Sequence, residues 1–118
     1  MLRGMARMAR IVIPGLPHHV TQRGNRRQEV FFEDADYTAY RNLLRTCCDW
    51  AGLQIWAYCL MPNHVHLILV SKTEDGLHRA LREAHRRYTV RINERNAWHG
   101  YLWQGRFASF PWPTRRHF

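Results

Sequence analysis

Two histidines stand two residues apart in "LMPNHVHLILV", residues 60 to 70, a stretch whose other side chains suit a buried strand. Side chains alternate across a strand, so His64 and His66 share one face with Ile68 and Val70, while Val65, Leu67 and Leu69 share the other. Two imidazoles about 7 Å apart along a strand can converge on one divalent cation when water, amide, carboxylate or phosphate oxygens complete its shell. A His-x-His pair alone is a weak signal for such a site, so the surrounding elements must decide.

"PHHVTQRGN" (17 to 25) predicts a strand around His19, Val20 and Thr21, closed by the turn pair Gly24-Asn25. Residues 33 to 51 open with Glu33, Asp34 and Asp36, which favour a helix N-terminus, and repeat Tyr37, Tyr40, Leu44, Cys47 and Ala51 at helical spacing up to the C-capping Gly52. "LQIWAYCLM" (53 to 61) reads as a strand with both faces largely covered. Pro62-Asn63 turns it into the histidine strand as an antiparallel hairpin. A second helix is expected from Thr73 as N-cap, with Glu74 and Asp75 in its first turn. Its apolar stripe is Leu77, Leu81, Ala84, Tyr88 and Ile92, opposite an outward row of Arg79, Arg82, Arg86, Arg87 and Arg91 with His78 and His85 beside them. "YLWQGRFASF" (101 to 110) is aromatic enough for a last strand. The order strand, helix, strand, strand, helix, strand packs most simply as an α+β, ferredoxin-like antiparallel sheet with both helices on one face, leaving the other face open for a site.

A chain of 118 residues has room for one domain. Its 18 basic residues, 17 of them arginine, outnumber 9 acidic ones, for a net charge of +9. Arginine's planar fork fits phosphate, so a polyanion is the default partner, with a merely solvated arginine-rich surface as the other reading. Cys47, Cys48 and Cys59 lack CxxC spacing and read as small core residues of a reduced intracellular protein. Pro14, Gly15 and Pro17 break the first apolar run before it could form a signal-peptide core, and no run approaches the roughly 18 apolar residues of a membrane span. No membrane association is therefore expected. Met5 and Met8 are alternative starts.

"MPNHVHLIL" after a Trp/Tyr-containing strand, "HHVTQRGNRRQEVFF" before the first helix and "HGYLWQGRFASF" after the second together resemble the single-tyrosine HUH transposases, particularly the REP-associated tyrosine transposase branch. The resemblance covers roughly residues 9 to 111. His64, Val65 and His66 match the family's His-hydrophobe-His motif. The histidine-triad hydrolase pattern is excluded, because position 68 is isoleucine. The resemblance implies Mg²⁺ or Mn²⁺ held by His64 and His66, and cleavage and rejoining of single-stranded or hairpin DNA through a 5′-phosphotyrosine. It implies a cytoplasmic, nucleoid-associated bacterial protein. Homodimers and monomers both occur in the family, so a homodimer stays open. Within the matching strand-end segments, Arg23, Asn25, Arg26, Arg27, Gln104 and Arg106 are the expected DNA contacts, with exposed Trp or Tyr available to stack on bases. Trp50, Trp56, Trp98 and Trp103 otherwise read mostly as core.

The family's nucleophile is a tyrosine followed four residues later by Asn or Gln, whose amide joins the metal shell from one helical turn away. Here the residues four after Tyr37, Tyr40, Tyr58, Tyr88 and Tyr101 are Arg41, Leu44, Pro62, Ile92 and Gly105. Tyr88, amid cations in "RRYTVRIN", is the only candidate, and it falls on the apolar stripe. The tail from 112, "WPTRRHF", has no apolar periodicity, so a truncated copy is expected, with a weak metal site and no cleavage. A non-catalytic nucleic-acid-binding module and an inert pseudogene product are the alternatives.

Overall fold

The computed structural model describes residues 11–112. Strand β1 (Pro17–Arg23) passes through a single 3-10 turn at Asn25–Arg27 into helix α1 (Asp34–Ala51), followed by β2 (Leu53–Met61), β3 (His64–Ser71), α2 (Gly76–Asn96) and β4 (Ala108–Pro111). The sheet order is β2-β3-β1-β4, with every neighbouring pair antiparallel. This is the ferredoxin-like α+β arrangement expected from the pattern, with β3 and β1 at its centre.

Period-two alternation decides which residues reach the core. Val65, Leu67 and Leu69 are fully buried under the helices, whereas His64, His66, Ile68 and Val70 are only half-buried on the opposite face. Tyr40, Leu44, Cys47 and Ala51 of α1 and Leu77, Leu81, Ala84, Tyr88 and Ile92 of α2 close the helical side, as their spacing predicted. The start of α1 is fixed by Asp36, whose Oδ2 accepts the Phe32 and Glu33 N–H groups at 2.9 and 3.2 Å. The same carboxylate takes a two-pronged contact from Arg95 of α2 at 2.5 and 3.0 Å. Burial would raise the Asp36 pKa, but the hydrogen bonds from Arg95, Phe32 and Glu33 outweigh it and hold the group below its ordinary value.

Several expectations change. Helix α2 begins at Gly76 with Asp75 as N-cap, not at Thr73. The Thr73 hydroxyl instead donates to Asp75 and its N–H goes to Ser71 Oγ. A Cβ on Gly76 would lie 2.2 Å from Ser71 Oγ, so only glycine can enter the helix this close to β3. His85 is buried rather than outward, 2.7 Å from the Tyr40 hydroxyl and stacked on Trp103 with ring centroids 4.6 Å apart. Strand β2 has a single neighbour and a bulge between Ile55 and Ala57, so residues 56 to 59 are exposed instead of covered on both faces. Trp50, Trp56 and Trp98 are exposed by 61%, 58% and 45%, so of the four tryptophans expected mostly in the core only Trp103 belongs to it. Cys47 and Cys48 are buried, but Cys59 is not. The last strand is four residues long, because Gly100 and Gly105 at φ of 94° and 60° bend 100 to 107 into a loop. That loop is tied to β1 and its turn by Asn25 N–H to Leu102 O at 2.8 Å and Gln104 N–H to Arg23 O at 2.9 Å. The aberrant tail expected over 112–118 lies outside the described residues except Trp112, whose N–H donates to Pro17 O at 2.7 Å.

Candidate metal and nucleic-acid site

The sheet register assembles the site. Arg23 of β1 and Met61 of β2 flank His64, and Thr21 and Cys59 flank His66, all on the face turned away from the helices. Alternate positions on β3 place the two imidazoles on one face, edge to face, with centroids 4.9 Å apart. Each has one ring nitrogen already engaged. His64 Nδ1 donates to Asn63 Oδ1 at 2.7 Å, which leaves Nε2 as the lone-pair nitrogen. His66 Nδ1 shares a proton with His19 Nε2 at 3.1 Å, and the two rings stack with centroids 5.3 Å apart. Partners of this kind on the outer nitrogen orient an imidazole for a metal. Burial first, then the neighbouring His64 and His66-facing His19, depress the His66 pKa, which favours the neutral ring that a ligand must be. Among the described residues no cluster of three or more His, Cys, Asp or Glu suits a metal, so the pair supplies two ligands at most.

Around the histidines opens a cleft of about 570 Å³. Arg23, Arg27, Gln104 and Arg106 line it with Thr21, Gln22 and Asn63, and no carboxylate is present in its walls. Four of the six expected DNA-contact residues therefore meet at the histidines. Asn25 and Arg26 do not: they line a separate cleft with Gln28, Asn93, Trp98 and Tyr101. Consecutive left-handed residues divide them, Arg26 at φ 57° and Arg27 at φ 61°, sending Arg27 one way and its predecessors the other. Gly24 permits the bend, since a Cβ there would lie 2.2 Å from the Gln28 carbonyl oxygen.

The sequence matches the family of IS200-like transposases over residues 13–115. The chain belongs to that family. No curated protein matches it. Among solved structures it is similar to a REP-associated tyrosine transposase bound to a REP hairpin, with TM-score 0.70 and 20% identity over 90% of this chain. It spans 61% of the length of that transposase. It is also similar to a candidate transposase from Deinococcus radiodurans R1, with TM-score 0.69 and 20% identity over 89% of this chain and 85% of the other. At these identities the likeness is one of fold.

The sequence reading makes the positions of the tyrosines the next question. All five of them lie within the described residues, and none lines the histidine cleft. Tyr88, the one candidate nucleophile, is fully buried, and its hydroxyl donates to Val30 O at 2.6 Å. Burial, more than nearby charge, pushes its pKa far up. Tyr40 is buried against His85, Tyr37 stacks on Phe31, Tyr58 sits opposite Leu67 on β2, and Tyr101 projects from the loop after α2. His19 and Asn63 are the site residues that sequence reasoning missed. The register of β1 against β3 and the direction of the turn amide reveal them, and neither is a local pattern.

Proposed function

We propose that the histidine face of the sheet is a phosphodiester site, and that the chain is a transposase-type domain that binds single-stranded or hairpin DNA. The observation that carries this reading is the pair of oriented imidazoles inside a cleft walled by Arg23, Arg27 and Arg106, in a chain of the IS200-like family. His64 and His66 would hold Mg²⁺ or Mn²⁺ through their Nε2 atoms, with His19 and Asn63 fixing the rings. When bound, the cation would draw negative charge off a phosphodiester oxygen. The three arginines contribute phosphate contacts, which makes the affinity salt-dependent.

Among the described residues that line the cleft, a tyrosine hydroxyl to attack the phosphorus is the missing part. With no tyrosine and no carboxylate among the described residues that line the cleft, this chain retains DNA without cutting it. The test is a labelled DNA hairpin with an unpaired 5′ flank, incubated with Mn²⁺ and run on native and denaturing gels. A mobility shift on the native gel without a covalent adduct on the denaturing gel is expected. An adduct would refute the cleavage-defective reading, and the absence of any shift would refute the site.

A further inference from the structure

On its β2 side the histidine pair faces sulfur. Met61 lies across from His64 and Cys59 across from His66, so the thioether and the thiol share the sheet face with the two imidazoles. The two sulfurs are 3.7 Å apart. Met61 is 40% exposed, which leaves its Sδ within reach of an ion from solvent. The arginine cleft opens on the other side of the pair, toward β1 and residues 104 to 108, and none of the residues lining it is a carboxylate.

These neighbours discriminate between metal ions. Mg²⁺ and Mn²⁺ are hard cations that complete their shells with oxygen, and a thioether offers them nothing. Thioether sulfur beside imidazole suits the soft ion Cu⁺, which also accepts a small number of ligands. Among the described residues no three of His, Cys, Asp and Glu form a metal cluster, so a third protein ligand has to come from another residue type. Met61 is such a donor, and it pairs directly with a site histidine. Charge points the same way. Arg23, Arg27 and Arg106 stand around the pair without a carboxylate in the cleft walls to offset them, and Coulomb repulsion opposes a doubly charged ion more strongly than a singly charged one.

We propose that His64 Nε2, His66 Nε2 and Met61 Sδ form a site for Cu⁺ that holds this ion more tightly than Mn²⁺. The inference rests on the metal-holding reading of the histidine pair and deepens it by naming an ion that regulates the site. Cu⁺ takes the same two imidazole lone pairs that a hard cation uses, so the two ions exclude one another. Bound Cu⁺ therefore closes the site to the cation that draws charge off a phosphodiester oxygen.

The test adds Cu⁺ under nitrogen, with ascorbate as reductant and bicinchoninate as a coloured competitor, to the full chain carrying methyl-labelled methionine. The methionines are Met1, Met5, Met8 and Met61, so substitution assigns each methyl resonance. The Met61 methyl should shift together with the His64 and His66 side chains, and bound Cu⁺ should abolish the broadening of both histidines by Mn²⁺. Met61→Leu, on the exposed edge strand, should weaken Cu⁺ binding by at least about tenfold, no less than the loss of an outer-shell partner costs, and leave the Mn²⁺ broadening unchanged. Cys59→Ser should keep the Cu⁺ affinity of the parent. Shifts confined to Met1, Met5 and Met8, a Cu⁺ affinity that survives Met61→Leu, or one that vanishes in Cys59→Ser would overturn the inference alone, because Mn²⁺ would still broaden His64 and His66. Failure of both ions to perturb these histidines would overturn the metal reading of the pair as well.

Discussion

Replacing Tyr88 with phenylalanine separates a structural hydroxyl from a catalytic one. The phenol ring lies among Phe31, Tyr40 and Trp103 at centroid distances of 5.5 to 6.0 Å, and phenylalanine keeps that packing. What is lost is the bond to Val30 O, a carbonyl on a fully buried residue. A net hydrogen bond contributes about 1 kcal/mol and an orphaned buried acceptor costs about 1–3 kcal/mol, so a loss of about 1.5 kcal/mol is expected. For a domain of this size that lowers Tm by about 6 °C. The next residues receive their order from the same place: the N–H groups of Val30 and Phe31 bond Pro62 O at 2.8 and 3.2 Å, at the turn that presents His64. Thermal unfolding followed by circular dichroism gives Tm, and a gel-shift titration should show DNA affinity within about twofold of the parent. An unchanged Tm together with the disappearance of a covalent DNA adduct would refute the reasoning and make Tyr88 the nucleophile.

Two further outcomes follow from the buried and basic residues. Burial pulls the His85 pKa from 6.5 to about 3, so its stabilising contribution is complete above pH 6.5 and is lost as pH falls toward 3; about 2 kcal/mol should be gone by pH 5, and urea titrations at pH 7.5 and 5.0 should show this loss in the parent but not in His85→Gln. For the cleft arginines, the double substitution Arg23→Gln and Arg106→Gln should reduce the slope of log affinity against log salt by about 1.4 for single-stranded DNA, measured by fluorescence anisotropy, and an unchanged slope would remove both residues from the phosphate contacts.

The fold was legible where one face of an element is buried and its repeat is clean. Strand β3 and the α2 stripe announced themselves through Val65, Leu67, Leu69 and Leu77, Leu81, Ala84, Tyr88, Ile92. His85 was misplaced because it borders that stripe among arginines, and only the Tyr40 hydroxyl and the Trp103 ring across the core reveal why an imidazole is tolerated there. The exposure of Trp56 and Cys59 depends on β2 being an edge strand, a property of sheet order and not of local composition. At the site, His64 and His66 were visible because their spacing is covalent. His19 became part of it only through the antiparallel register of β1 and β3, and Asn25 and Arg26 left it through two left-handed residues that no propensity would assign to arginine.

The central claim is that His64 and His66 present free Nε2 atoms to a divalent cation at a DNA phosphate site. The most direct measurement is an NMR titration of the histidine side-chain resonances with Mn²⁺, with and without a DNA hairpin. Selective paramagnetic broadening of His64 and His66, followed by His19, at Mn²⁺ concentrations that leave His18 and His85 sharp is the predicted result, and His64→Ala with His66→Ala should abolish it at the remaining site residue while the spectrum stays folded. Broadening spread evenly over the histidines, or surviving at His19 in the double variant, would contradict the assignment.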